Sequence, residues 1–552
     1  MSYLLFILPF VIIFNYKDKT EGFIKVLSIY TAYILSVVLF LQYYRIFDYH
    51  NLLIFISISS VLSLIYFFKN KKFFSFNHQY AIIIIFLLSL LFLFIPNFIN
   101  HNEMYLYPFY SDEWVNYGLS RYSAINNVLP IFNYLDHGSH FINFLIPFNS
   151  FVSFFLLYFD LNIYTYVILG KIFNFIILLS MFILLRKSNI NREISLISVI
   201  ILLFVTNSSN VTGLWNFIPL NLSFLFFILS FINNFHLNSI LSVLFYPPMS
   251  IVVVFNYFIK YRYRMYKYIF LISVLFFMIY FMKVNEIIYV YFHKIYDLLI
   301  RPSVYLYVEK VNVFDMLPVI TVPFVFHGLY IHLYKKNQKL NLIFYTIIFT
   351  SMFWIYYAFN NTIIVMDKVR FVTITSWLLT IPFAVSLDYI YGRIPDNFKL
   401  NLKPLYLHVI MIIFLIFNIK TYVYTNNDLD IGFINFENTF IKNGNPTNNH
   451  VKKEDLRIFN ENVKTGSIFL ASPWKSLVIS TLTDNIPLDS KSSYLSVNKY
   501  SYNKFVELSC DQKNIISDSF KLNYFYGPQF NCDRFGLIDY DYDNKMFLYE
   551  FK

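Results

Sequence analysis

Charge is what this chain has least of. Only 14% of its 552 residues are Asp, Glu, Lys or Arg, against 58% hydrophobic and 22% aromatic, and a soluble globular fold has no use for so much apolar surface. Cysteine is nearly absent as well: Cys510 and Cys532 are the only two, which leaves room for one internal disulfide. No nucleotide-binding motif is visible among the 12 glycines. The net charge of +11 would argue for nucleic acid if Lys and Arg lined one face. They fall instead in short clusters between apolar runs, so they read as topology signals and no nucleic-acid partner is expected. A cleavable leader is not expected either, because Met1 runs directly into the apolar stretch Tyr3 to Tyr16 without a basic n-region or a small-residue cleavage site.

What is present is membrane-length hydrophobicity, with a mean hydropathy of +0.55. Apolar runs of about 17 residues or more predict a polytopic α-helical membrane protein of about 12 spans plus a re-entrant hairpin. The clearest runs are Val26 to Tyr43, Leu52 to Phe68, Tyr80 to Phe98, Tyr164 to Leu185, Met316 to Tyr334, Leu340 to Phe359 and Phe371 to Ile390. Shorter or less regular ones are Tyr3 to Tyr16, Glu193 to Val205, Leu220 to Phe235, Tyr268 to Met282 and Leu405 to Ile419. Lys17, Lys19 and Lys25, then Lys69, Lys71 and Lys72, then Lys335, Lys336 and Lys339 mark the cytoplasmic side. The loop from Ile99 to His140 therefore faces outward. Arg186, Lys187 and Arg192 fit this scheme only if Phe141 to Phe159 lies in the outer leaflet without crossing it. Tyr246-Pro247-Pro248 interrupts Leu237 to Ile259, because two prolines remove backbone donors in mid-run; a re-entrant hairpin is the simplest fit and a kinked span competes with it.

From about Thr425 the chain turns polar and has no further span. This divides it into a transmembrane domain, 1–424, carrying the outer loop 99–140, and an extracytoplasmic α/β domain, 425–552. Short β-rich runs at Ser467 to Ala471, Leu522 to Tyr526, Gly536 to Tyr540 and Met546 to Phe551 alternate with helical segments near Glu454 to Val463 and Tyr500 to Ser509. Both cysteines lie here; in an oxidising compartment they could pair, although two residues alone fix no geometry.

The chemistry-bearing candidates concentrate in the outer loop. Asp112 and Glu113 sit just outside a span, where a carboxylate can serve as a general base or a metal ligand; as a plain alternative the pair caps the helix that follows. Arg121, Asp136, His137 and His140 share this loop. The histidines at i and i+3 could meet on one helical face, but they lack an evident third ligand. Lys171, about two turns inside its span, needs a polar cavity, an anionic partner such as a lipid phosphate, or room to snorkel. Arg370 opens a late span at a height where a guanidinium can grip a phosphate in two-pronged fashion or anchor the helix at the interface. A second outer loop, Lys283 to Asp315, carries Arg301 and other cations against the positive-inside trend.

The run Ser111-Asp112-Glu113-Trp114-Val115-Asn116-Tyr117 through Arg121 to Pro130 resembles the first extracytoplasmic loop of GT-C glycosyltransferases, the superfamily of protein mannosyltransferases and aminoarabinose transferases. An interfacial helix before a span bearing Lys171, an Arg-Phe pair at Arg370-Phe371 and a C-terminal α/β domain extend the likeness. Four spans precede the acidic loop where the familiar members have one, and Tyr246-Pro247-Pro248 stands where some relatives carry His-Pro. The resemblance implies transfer of a hexosyl or pentosyl unit from a polyprenyl-phosphate donor in the outer leaflet to an extracytoplasmic protein, lipid or glycan acceptor. It assigns Asp112 as base, or with Glu113 as ligand of a divalent Mg or Mn; Arg370 and Lys171 to the leaving lipid phosphate; and Arg121, His137, His140 and Arg301 to the substrate loops. Asp112 and Arg370 would then line one cavity. Two other classes remain open from sequence: a transporter or flippase for lipid-linked glycans, whose internal repeats are not evident, and a non-catalytic membrane assembly protein.

Overall fold

The computed structural model describes residues 2–16, 19–69, 79–89, 111–131, 143, 145–203, 214, 217–233, 235–261, 303–304, 321–335, 340–359, 362–363, 366, 368–393, 451–490, 502–541 and 545–552. The chain forms two compact units, one of residues 1–37, 49–93 and 168–432, the other of 38–48, 94–167 and 433–552.

Helices dominate the first unit. Among the described residues, four helices are long and apolar enough to cross a membrane: Gly22–Tyr43, Tyr49–Lys69, Ile163–Lys187 and Arg370–Arg393. They coincide with runs identified above. The expected runs Glu193 to Val205 and Leu220 to Phe235 are shorter helices, Arg192–Leu202 and Pro219–Ile232. The expected spans Tyr268 to Met282 and Leu405 to Ile419 lie outside the described residues.

The proline break falls where the sequence places it. Helix Phe235–Phe245 ends, Pro247–Met249 forms a single tight turn, and helix Ser250–Tyr261 begins. A ring without an N–H cannot continue the ladder, and its fixed φ suits the first turn of the next helix.

Polar side chains inside this apolar packing find partners on neighbouring helices, as they must where water is absent. Asn221 donates to Asn174 at 2.9 Å, Thr346 to Asn256 at 2.7 Å, and Thr375 to Thr350 at 2.8 Å. Helix Lys368–Arg393 contains Pro382, and Gly328 of helix Val322–Lys335 lies so close that a Cβ there would sit 1.8 Å from the Pro382 carbonyl oxygen. Only a residue without a side chain permits that approach.

The second unit holds the α/β domain. Its five-stranded sheet runs in the order Ile486–Pro487, Ile468–Leu470, Tyr524–Gly527, Met546–Phe551, Phe535–Asp541; the first three strands are parallel and the last two pair antiparallel. Phe525, Leu470, Phe505 and Tyr549 lie in its core. The short parallel strands alternate with helices Lys453–Asn462, Pro473–Thr483 and Cys510–Phe520, as parallel pairing requires a crossover. Cys510 and Cys532 are joined as a disulfide, with Cα atoms 5.5 Å apart.

Beneath the sheet lies an ion pair with no exposure. Lys475 Nζ donates to Asp455 Oδ2 at 2.6 Å, and the two side chains are 1% and 0% exposed. Asp455 also accepts the Lys452 backbone N–H at 2.7 Å, and its other oxygen accepts the hydroxyl of buried Tyr526. Three donors on one carboxylate satisfy the condition under which a buried charge is tolerated.

Candidate active site

The acidic pair stands in the first turn of helix Ser111–Asn126. That is where the unpaired N–H groups and the positive end of the helix dipole favour carboxylates. A cap role and a chemical role therefore use the same position. The local geometry separates the two residues. Asp112 is half-buried, whereas Glu113 is only 2% exposed.

Most of the residues that follow in this helix are buried, which fixes it against its neighbours. Trp114 and Tyr117 are each 1% exposed and meet edge to face with centroids 6.0 Å apart. Tyr117 meets Tyr166 in the same way at 6.0 Å, and its hydroxyl donates to the Leu161 carbonyl at 2.7 Å. Burial pushes the Tyr117 phenol up to about 12, against the opposing pull of Arg121; Asp160 and Asp484 add to the rise. The phenol therefore stays protonated and holds its bond. Asp112 and Glu113 both lie within electrostatic reach of Tyr166.

Two further contacts pin the helix. Gln42 Nε2 bonds Ser123 Oγ at 2.8 Å and Ser153 Oγ at 2.7 Å, so one amide ties it to helix Ile146–Tyr158. That short apolar helix is the stretch expected to lie in the outer leaflet. Arg121 reaches the α/β domain: its Nη1 donates to Asp484 Oδ1 at 2.5 Å and to the Thr481 carbonyl at 3.0 Å, and Nη2 lies 3.4 Å from Oδ2. Asp484 ends helix Pro473–Thr483 with φ 56°, so the guanidinium meets both a carboxylate and the negative end of a helix.

Of the other sequence candidates, Lys171 is 2% exposed within helix Ile163–Lys187, and Arg370 is half-buried in the first turn of helix Lys368–Arg393. Both belong to the first unit, while Asp112, Glu113 and Arg121 belong to the second. Asp136, His137, His140 and Arg301 lie outside the described residues. Sequence reasoning passed over Asp484, Gln42 and Tyr166. Gln42 had left a signal, as the one amide in the apolar run Val26 to Tyr43.

Consecutive helical positions project about 100° apart, and Asp112 and Glu113 differ in burial. Among the described residues, no group of three or more His, Cys, Asp or Glu could hold a metal ion. The start of this helix thus presents a half-buried carboxylate, Asp112, beside a buried one, Glu113.

No protein-family description and no curated protein matches the chain. Among solved structures it is similar to the oligosaccharyltransferase of Archaeoglobus fulgidus. The apo form and the form tethered by a disulfide to an acceptor peptide containing the NVT sequon each match at 10% identity, over 82% of this chain and 69% of that one, with a TM-score of 0.49. The archaeal oligosaccharyltransferase AglB from Archaeoglobus fulgidus, in complex with an inhibitory peptide and a dolichol-phosphate, matches at 12% identity over 81% of this chain and 57% of that one, with a TM-score of 0.28. Similarity of this degree assigns the chain neither a family nor an activity.

Proposed function

We propose that the chain is a multi-pass membrane glycosyltransferase of GT-C type, moving a sugar from a polyprenyl-phosphate-linked donor to an acceptor outside the cytoplasm. One observation carries the reading: a half-buried carboxylate, Asp112, stands at the start of a helix that aromatic packing and a domain contact hold rigid. A capping residue needs none of that support, whereas a base that must meet its proton within a fraction of an ångström does.

In this mechanism Asp112 accepts the proton of the acceptor nucleophile as the latter attacks the anomeric carbon. The carbon–oxygen bond to the lipid phosphate breaks, and the electron pair leaves with the phosphate. Glu113, buried in the same helical turn, is proposed to orient the acceptor. Arg370 and Lys171 are proposed to neutralise the departing phosphate, where negative charge develops. No step here runs through a metal ion. The membrane-length helices and the scarcity of charge support a lipid-embedded donor, which requires no nucleotide site.

Asp112→Asn tests the proposal. Asparagine keeps the shape and the capping ability of Asp but cannot take a proton, so the variant should insert and fold normally. Transfer of radiolabel from a polyprenyl-phosphate sugar should fall by about a hundredfold or more, the scale of losing a general base. Transfer at the wild-type rate would return Asp112 to the status of a helix cap and remove the proposal with it.

A further inference from the structure

The first unit holds a cavity that the proposed reaction does not use. It has a volume of about 440 Å³ and lies where helices Ile163–Lys187 and Lys368–Arg393 end beside helix Val322–Lys335. That volume falls in the usual range of small-molecule sites, roughly 300–1,000 Å³. Its polar walls are Ser188, Asn189, His332, Asp388, Tyr389 and Arg393.

The walls are built rigidly. Asn189 adopts φ 66°, a left-handed conformation that Asn tolerates, and closes the helix end with a bond from its N–H to the Arg186 carbonyl at 3.1 Å. Asp388 Oδ1 accepts the N–H of Asn191 at 2.8 Å, fixing the start of the next helix. The Arg393 guanidinium lies over the Tyr389 ring with Cζ 4.5 Å from its centroid. This contact positions the guanidinium at the cavity wall. His332 is stacked on Phe344 with centroids 3.5 Å apart, and the residue is 6% exposed. Asn341 bonds the His332 ring, whose Nδ1 is buried with no hydrogen-bond partner. A buried polar atom left in that condition is costly, and a ligand group that bonds it recovers the loss.

The charges select the ligand. A simple anion drawn to Arg393 would face the Asp388 carboxylate, and a simple cation drawn to Asp388 would face the guanidinium. A ligand carrying both signs a few bonds apart satisfies both. The location adds a second constraint: the cavity sits at the ends of two membrane-length helices, next to the basic residues Arg186 and Lys187, at the depth of lipid headgroups.

We infer that this cavity binds a phosphate ester bearing a primary ammonium group, the chemistry of phosphoethanolamine. Arg393 and His332 take the phosphate, and Asp388 takes the ammonium. The ligand arrives either as the headgroup of a lipid or as the free ester. The inference is independent of the glycosyl-transfer reading and survives its failure.

The test uses the full-length protein in detergent, stripped of lipid, with ligand retention read by native mass spectrometry. The probes are dioctanoyl phosphatidylethanolamine, dioctanoyl phosphatidylglycerol and free phosphoethanolamine. Retention of the ethanolamine lipid over the glycerol lipid supports the site with a membrane source; retention of the free ester alone supports it with a soluble source. Arg393→Gln, at an exposed position, should weaken whichever ligand binds by about tenfold, the scale of losing a charge-assisted bond, without lowering the melting temperature. His332→Leu, which removes the orphan nitrogen, should weaken it as well. The inference is overturned if neither ethanolamine probe is retained, if the glycerol lipid is held equally well, or if Arg393→Gln changes nothing.

Discussion

Replacing Lys475 by methionine would strand the Asp455 carboxylate in the interior of the α/β domain. The wild-type pair is fully buried at 2.6 Å, and burial pushes the Lys475 ammonium below its ordinary value while Asp455 pulls it back up. The remaining partners of Asp455, the Lys452 N–H and the Tyr526 hydroxyl, are dipoles, which cannot balance a whole charge. Removing one member of such a pair costs about 3–5 kcal/mol. At about 1.4 kcal/mol per power of ten, that raises the opening equilibrium of the domain by two to almost four orders of magnitude. Amide hydrogen exchange on the full-length protein would record it in Ile468–Leu470, the strand nearest Lys475 in sequence, and in Tyr524–Gly527, which carries the Asp455 partner Tyr526. The double variant Lys475→Met/Asp455→Leu should recover most of the loss, because two apolar side chains of similar volume leave no stranded charge. A single variant that exchanges like wild type, or a double variant as unstable as the single, would refute the reasoning.

Three smaller effects follow from the same unit. Arg121→Gln and Asp484→Asn should show a coupling of only about 0.5–1 kcal/mol in a double-mutant cycle, since Asp484 is more than half exposed, yet both should speed hydrogen exchange in helix Ser111–Asn126. Reducing the Cys510–Cys532 disulfide frees a loop spanned by a sequence separation of 22, which on the chain-entropy scale lowers domain stability by about 3 kcal/mol and should appear as faster proteolysis under reductant. Arg534 holds the Asp518 carboxyl below its ordinary value of 3.8, so in the interval between the two values the unfolded chain binds more protons. The stabilisation is present above 3.8 and fades as pH falls through the lower folded value; Asp518→Asn should flatten that acid limb in an unfolding titration, and an unchanged limb would remove the pair from the account.

The helical part of the chain was legible because hydrocarbon and protein interior impose one rule on the backbone, that every group be paired within its own segment. Apolar length therefore located Tyr49–Lys69 and Ile163–Lys187 to within a few residues, and two prolines located the break at Pro247. The α/β domain was half legible. Its alternating runs revealed the strands at Ile468, Tyr524, Phe535 and Met546, but not helix Pro473–Thr483 or helix Cys510–Phe520. The first is buried through Leu477, Val478 and Ile479 and also encloses Lys475 and Ser476, so it shows no clean polar face to give a 3.6-residue period. The second is capped by Ser509 and Gln512 acting reciprocally, a signal present in the sequence that outweighs the poor helix formers following it.

The candidate site divides along a different line. Residue type and spacing brought out Asp112, Glu113 and Arg121, because an acidic pair after an apolar run is locally conspicuous. What makes the helix a firm platform is non-local: Gln42 lies 81 residues from Ser123, and Arg121 lies 363 residues from Asp484. Single-sequence patterns carry no information about such pairings, since an amide in a span or an aspartate after a helix looks the same whichever surface it meets. The same holds for the burial that separates Glu113 from Asp112. Adjacent in sequence and identical in charge, they look alike to any local pattern; packing closes over one of them while leaving the other part open. The proposed mechanism gives the base role to half-buried Asp112. On that assignment Asp112→Asn and Glu113→Gln will not resemble each other: the first should abolish transfer in a folded protein, and the second, which keeps a group able to hold the acceptor, should lower it far less. Equal losses of transfer with equal retention of fold would mean that the two carboxylates act as one.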